Sequence, residues 1–512
     1  MKSVLIWFGA LLILTACRET PPTLSMPEFT GFEVTAATTA ADITIHYKGD
    51  YGIVEAGVYL GVALDSGRIP AADVEESSFT VHITGLQPST TYHYKAFLSS
   101  GVNEILSPTQ VFTTEDPKDD QNVIVNGNSV TVYLGGKRLQ ESLETHDLLP
   151  EKIKSLTLIG NLETEDFIYI REQMKYLENL DLRQTTVTVI PRMAFMGKTW
   201  LSEVQFPSGL VKVCDHAFYG SGLESLNLPD SVEEIGMEAF GECERLYGSL
   251  EIPKSMKVLE GGAFRACSEL TSVKLPEGLQ YIGEAAFREC YRLGGELVLP
   301  ESLTFLGEMA FEGTNFRGDL IIPNNIRTIL DATFLNVGFD GRLVLPEGLE
   351  EIRQVAFADN HFKGELTLPE GLLSIGEGAF ANIGFSGPLN LPASLKRLGE
   401  SAFSGNCFSG ELIIPEAICI IPNGVFSDME YIQQFSKIIL HKDVKSIRGE
   451  AFAGGESVKE IVCYNDSPPE AEDNWICIDF IPSITLRVPA DAVEKYKEAE
   501  RWRNFGSIFP IE

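Results

Sequence analysis

Between residues 195 and 452 the apolar positions recur with a period near 23, far longer than the period of a strand or a helix. The landmark is a phenylalanine after a small residue: Phe195, Phe218, Phe240, Phe264, Phe287, Phe311, Phe334, Phe357, Phe380, Phe403, Phe426 and Phe452. Successive gaps are 23, 22, 24, 23, 24, 23, 23, 23, 23, 23 and 26. A proline stands 11 residues before ten of them, at Pro207, Pro229, Pro253, Pro276, Pro300, Pro323, Pro346, Pro369, Pro392 and Pro415, and His441 takes that place before Phe452. The length variation falls between each phenylalanine and the next proline, so that segment is where a stacked unit can swell without breaking its stack.

The unit Glu296–Phe311 predicts one coil. Leu297 and Leu299 alternate as a short strand, which Pro300 ends because it has no N–H for a ladder. Leu303 and Leu306 turn inward again, and Phe311 fills the centre. A single coil cannot bury these residues; a stack can. The L-x-L-P, I-G and A-F landmarks, held in phase from about Leu156 to Tyr464, resemble those of the BspA-like leucine-rich repeat surface lipoproteins of Gram-negative anaerobes. The resemblance implies a solenoid that binds and does not catalyse.

A different period, two, runs from Pro27 to about Glu115. Within it Gly85-Leu86-Gln87-Pro88-Ser89-Thr90-Thr91-Tyr92 resembles the E–F corner of a fibronectin type III domain, where a tyrosine hydroxyl pins the corner backbone. His82 and His93 fall on these strands and read as solvent-facing. The predicted fold is therefore mainly β, a leucine-rich repeat solenoid of about 23-residue repeats preceded by a fibronectin type III-like β-sandwich. The expected divisions are a sandwich over 27–115, a polar linker over 116–128, an N-terminal cap over 129–190, repeats over 191–464 and a C-terminal cap over 465–512. Strands at Lys154–Leu158 and Leu177–Leu182 flank a helical pattern of Phe167, Ile170, Met174 and Leu177. Near the C-terminus, Ile484–Pro489 reads as a strand and Asp491–Glu494 as a capping box opening a helix, with Val493, Tyr496 and Trp502 on one side. This segment is similar to the usual end of the same family, so the chain reads as complete.

The N-terminus adds an address. Lys2 precedes the apolar run Val4–Ala16, which is too short to span a bilayer and reads as a signal peptide over 1–17. Its end, Leu14-Thr15-Ala16-Cys17, resembles a lipoprotein lipobox, which implies a lipid on Cys17, a tether over 18–26, and display on the outer membrane or cell surface. Lys+Arg number 40 against 73 Asp+Glu, a net charge of −33 that repels nucleic acid. The nine cysteines and seven histidines show no zinc-ligand spacing, and no metal or cofactor is expected.

Stacking turns each repeat position into a row. Phe316, Phe339, Phe362, Phe385 and Phe408, each five residues after a landmark, form either an aromatic track for sugar rings or core. Leucines near this position in earlier repeats (Leu246, Leu270, Leu293) favour core. Glu277, Glu301, Glu347, Glu370 and Glu416 follow the repeat prolines, and Glu284, Glu308, Glu377 and Glu400 sit three before landmark phenylalanines. These carboxylates read as a solubilising edge, a loose cation site or a face for a basic partner. Cys243, Cys267 and Cys290, three after landmarks, read as core thiols. Cys214 with His216 is a weak nucleophile pair.

The expected function is adhesion or binding of a host or neighbouring-cell protein through the solenoid, with the second phenylalanine row and Glu277, Glu301, Glu347 and Glu370 as its candidate surface. Glycan capture is the alternative, and an extracytoplasmic hydrolase the third reading.

Overall fold

Period-two alternation builds the first of two units, which divide between Asp119 and Asp120. The computed structural model describes residues 27–49, 53–61, 67–86, 88, 90–100, 103–115, 122–427, 434–453, 457–477 and 479–511. The signal peptide, lipobox Cys17 and tether, as well as corner residues Gln87 and Ser89, lie outside them. The strands of the first unit are β1 (Glu28–Ala36), β2 (Ala40–Lys48), β3 (Glu55–Gly61), β4 (Gly67–Pro70), β5 (Ser78–Thr84), β6 (Thr91–Ser99), β7 (Glu104–Leu106) and β8 (Gln110–Thr113). They form two antiparallel sheets, β1-β2-β5 and β4-β3-β6-β7, with β8 also on β6. Ile43, Ile45, Phe79 and Val81 from one sheet share a core with Val58, Tyr94 and Ala96 from the other. Gly57 is required at its place: a Cβ there would lie 2.3 Å from the Ile69 carbonyl and 2.8 Å from the Phe97 ring. Tyr92 is buried against Phe112, ring centroids 5.5 Å apart. His82 and His93 face solvent, as expected.

The second unit opens with β9 (Val123–Asn126) and β10 (Ser129–Tyr133), an antiparallel hairpin turning at Gly127, whose φ is 62°. This corrects the linker expected to run to residue 128. Val123, Ile124 and Val125 favour extended backbone strongly enough to make an edge strand. Parallel strands β11 (Ser155–Gly160) and β12 (Asn179–Thr185) continue the sheet. A helix that the sequence reading did not anticipate, α1 (Leu139–Thr145), buries Leu139 and Leu143. The anticipated helix is α2 (Thr164–Gln173), closed at its start by a reciprocal Glu163–Asp166 capping box.

From Val189 the chain is the expected solenoid, and each coil has three sides. One carries the strand before the proline, as in Leu320–Ile321 paired in parallel with Leu343–Val344. The second is a two-residue strand at the I-G landmark, stacked in order through Lys212–Val213, Glu234–Ile235, Val258–Leu259, Tyr281–Ile282 and Phe305–Leu306. The third is the phenylalanine corner. Leu297 and Leu299 are buried as expected, but the strand of that coil is Gly294–Glu296. Its residues pair 21 positions on, Glu296 with Arg317, while neighbouring coils pair 23 positions on, so the ladder loses register before Leu297.

At the corner the landmark rings stack in file: Phe311, Phe334 and Phe357 lie 5.6 Å apart within 7° of parallel. The residue two before each landmark is left-handed in all twelve coils, from Met193 (φ 57°) through Val355 (φ 46°) to Glu450 (φ 57°). This backbone sends alternate N–H groups along the stack. Phe334 N donates to Ala356 O at 2.9 Å, and Phe357 N to Ala379 O at 3.0 Å.

The last coils are closed by α3 (Val493–Glu498) and an aromatic plug of Trp475, Tyr496, Trp502 and Phe505. The capping box expected at Asp491 does not form. Pro489 starts a tight turn that holds Asp491 inside Ala490–Ala492, so Ala492 occupies the cap position without a side-chain bond.

Candidate functional site

The sequence-derived rows separate by side of the coil. Phe316, Phe339, Phe362, Phe385 and Phe408 are all fully buried. They pack edge-on against the landmark file, Phe316 on Phe311 at 6.0 Å and Phe362 on Phe357 at 6.5 Å. As candidate ligand contacts they are corrected: they present no ring to solvent. Earlier coils bury a leucine one position later, at Leu246, Leu270 and Leu293, so the inside of the coil takes apolar bulk there with or without an aromatic ring.

The thiols three residues after a landmark are free and buried. Each donates one coil back to a phenylalanine carbonyl: Cys243 to Phe218 at 3.2 Å, Cys267 to Phe240 at 3.1 Å, Cys290 to Phe264 at 3.1 Å. Burial pushes the Cys290 thiol up to about 12, so it supplies no thiolate at neutral pH. The same station is filled by Asn360 and Asn406, which donate to Phe334 and Phe380. At the first coil it is Lys198, whose ammonium is buried against the Ile170, Arg171 and Met174 carbonyls at the end of α2. This donor station is shared by Cys, Asn and Lys, with Ser221 and Thr314 also polar there, and is interrupted by buried Val337 and Ile383, so no single residue type marks it in the sequence.

Cys214 and His216 make no bond to each other among the described residues. The His216 imidazole faces Glu238, Nε2 to Oε2 3.1 Å, and Arg265 lies between Glu238 and Glu242. Burial raises the Cys214 thiol above its ordinary range. No nucleophile–base pair is built there. Among the described residues no group of three or more His, Cys, Asp or Glu is placed to hold a metal ion.

The acidic row is where side chains meet solvent. Each proline carbonyl closes a tight turn on the residue three after it, as Leu303 N donates to Pro300 O at 3.0 Å. That turn buries Leu303 and leaves Glu301 outside. Glu277, Glu301, Glu347, Glu370 and Glu416 are all exposed. Glu301 is within 3.5 Å of the Asn324 amide, and none of the five makes an ion pair among the described residues. Four residues before the prolines some of the charged residues pair across coils, while Glu296 and Glu365 stay exposed without an ion pair among the described residues. Asp319 pairs with Arg342 at 2.8 Å, and Lys437 lies 3.6 Å from both Glu411 and Glu460. On the post-proline edge Asp230 and Lys254, at the same station in earlier coils, form an ion pair at 3.2 Å, so the carboxylates without an ion pair among the described residues are those from Glu277 onward. Sequence reading also passed over an exposed edge-to-face pair near the N-terminal coils, Tyr176 and Trp200, 5.9 Å apart and 40% and 50% exposed.

Residues 169–293, 247–363 and 350–468 match the BspA type leucine rich repeat region, in six copies. Among solved structures, a leucine-rich repeat protein from Bacteroides ovatus is 19% identical, covering 82% of this chain and 98% of that one, with a TM-score of 0.47. A leucine-rich repeat protein of T. pallidum is 27% identical over 36% of this chain and 77% of that one, TM-score 0.27. A leucine rich cell surface protein from Faecalibacterium prausnitzii is 17% identical over 82% and 93%, TM-score 0.32. No curated protein matches.

Proposed function

Because the chain belongs to the BspA-type leucine-rich repeat family, we propose that it is a non-catalytic binding module whose solenoid meets a basic protein partner. The observation that carries this reading is the exposed carboxylate row Glu277, Glu301, Glu347, Glu370 and Glu416, none of which makes an ion pair among the described residues, on a chain of net charge −33. Carboxylates repeated along one edge repel one another and gain from an external cation, which steers a basic partner onto that edge. The lipobox-like Leu14–Cys17 supports attachment through lipid and adhesion at a cell surface.

The test is the soluble fragment from Arg18, offered to arrays of host and neighbouring-cell proteins and of glycans at low and high salt. Capture of basic proteins, weakened by salt and by Glu301→Gln, Glu347→Gln and Glu370→Gln together, is expected. Salt-insensitive capture of neutral glycans alone would replace this reading with glycan capture. That second reading now has its own observation, the exposed Tyr176–Trp200 pair, in place of the buried phenylalanine row. Cys17→Ser should release the chain from the membrane fraction; unchanged attachment would remove the anchor.

A further inference from the structure

The outward position two before each proline is polar at Gln205, Asn227, Glu251, Lys274, Thr367 and Asn390, and apolar again at Ile413 and at Ile439 before His441. In three consecutive coils between Lys274 and Thr367 it is instead β-branched and apolar. Val298 is 69% exposed, Ile321 56% and Val344 41%. Ile321 and Val344 are register partners on adjacent parallel strands, so their side chains leave one face of the sheet together. Glu301 and Glu347 stand three residues after Val298 and Val344, past the proline turn. Val344, Glu347, Glu365 and Thr367 line one shallow depression together with Arg342, which is paired with Asp319, and Lys363. Val298, one coil earlier and beyond the strand Gly294–Glu296, extends the exposed apolar pair Ile321 and Val344 without a ladder partner of its own, so an apolar strip runs beside Glu301 and Glu347.

We propose that this strip with its carboxylate edge is the docking surface for a basic amphipathic helix of a partner protein, laid along the stack. The proposal rests on the reading that the solenoid binds a basic partner, and names the surface and the partner's shape. The pitch favours a helix. Coils rise by about 4.8 Å where strands pair and by 5.6 Å where the landmark rings of these coils stack. One helical turn rises about 5.4 Å, within that range, so apolar residues at i, i+4 and i+7 stay in phase over three coils. Alternate residues of an extended strand recur at about 6.7 Å and drift out of phase by the third coil. Charge selects the flank, with lysines or arginines beside the stripe facing Glu301, Glu347 and Glu370. A second copy of this chain is disfavoured as occupant, since each copy carries −33.

The probe is a labelled leucine–lysine peptide of about eighteen residues, long enough to hold a helix when docked, with leucines at i, i+4 and i+7. Its controls are a scrambled peptide of identical composition and a leucine–glutamate version, all titrated onto the fragment from Arg18. The striped peptide should bind one to one, about tenfold or more tighter than the scrambled one, and the acidic version should not bind. The combined Val298→Thr, Ile321→Thr and Val344→Thr variant keeps β-branching. It should erase the difference between striped and scrambled peptides with an unchanged circular dichroism spectrum. The combined Glu301→Gln, Glu347→Gln and Glu370→Gln variant should weaken both and flatten their salt dependence. Equal binding of striped and scrambled peptides to the wild type, or no effect of the threonine variant, overturns the strip while leaving acidic capture standing. Absence of binding by every basic peptide overturns both.

Discussion

Asn360 donates its side-chain amide to the carbonyl of Phe334, one coil earlier, at 2.7 Å, and to Phe357 of its own coil at 2.8 Å. Its Oδ1 accepts from Gly338 N at 3.0 Å and Phe339 N at 3.2 Å. One fully buried residue thus satisfies backbone groups of two coils that have no access to water. Asn360→Leu should lower stability by about 3 kcal/mol, because several buried polar groups lose partners at once. Cys290→Ala, which removes one thiol donor, should lower it by about 1 kcal/mol. Urea unfolding of a fragment shown to melt cooperatively measures both, and equal losses would mean that the row contributes volume alone.

The phase of this fold was legible because the same residue types return at the same stations: Phe at the corner, Pro at the strand end, a small residue before Phe. The left-handed station two before Phe was not legible. Met193, His216, Glu238, Ala285, Val355 and Ser401 share only a backbone conformation, imposed by hydrogen bonds to the next coil. The donor station was hidden in the same way, behind thiol, amide, ammonium and hydroxyl side chains and the apolar Val337 and Ile383. Of the candidate site, the carboxylates were legible because glutamate beside a repeat proline has nowhere else to point. The second phenylalanine row was ambiguous because bulk and aromaticity look alike until burial is known.

Val355 is the β-branched member of the left-handed row, at φ 46°. For an L-residue that region costs about 1–2 kcal/mol, which asparagine tolerates better. Val355→Asn should therefore raise stability by about 0.5–1 kcal/mol, read as a higher urea midpoint at unchanged slope. A lower midpoint would show that side-chain packing at Val355 outweighs the strain.

Lys198 links alkaline stability to the seam between α2 and the first coil. Burial pushes its ammonium down to about 8 from an ordinary value of 10.5. Between those values the unfolded chain binds the proton that the folded chain has released, so this residue's contribution to stability increases as pH rises through the window. Below pH 8 both states hold the proton and the contribution is flat. Lys198→Met should remove that rise, while lowering stability at pH 7 by about 1–3 kcal/mol as the Ile170, Arg171 and Met174 carbonyls lose their donor. Unfolding compared between wild type and variant at pH 7, 8 and 10 checks it; identical pH profiles would contradict the sign.

The two phenylalanine rows should respond differently to substitution. Phe357 stacks between Phe334 at 5.6 Å and Phe380 at 5.5 Å, so Phe357→Ala leaves a cavity touching three coils and should cost about 3–5 kcal/mol. Phe362 belongs to the second row, inside a coil interior that earlier coils fill with leucine one position later, so Phe362→Leu should cost less than about 1.5 kcal/mol. Glu370→Ala, on the exposed edge beyond Pro369, should stay within about 0.5 kcal/mol. That order, landmark ring first, second row next, carboxylate last, follows from burial and stacking alone. If Phe362→Leu matched Phe357→Ala in cooperative unfolding, the second row would be holding the coils together through its ring stacking with Phe339 and Phe385.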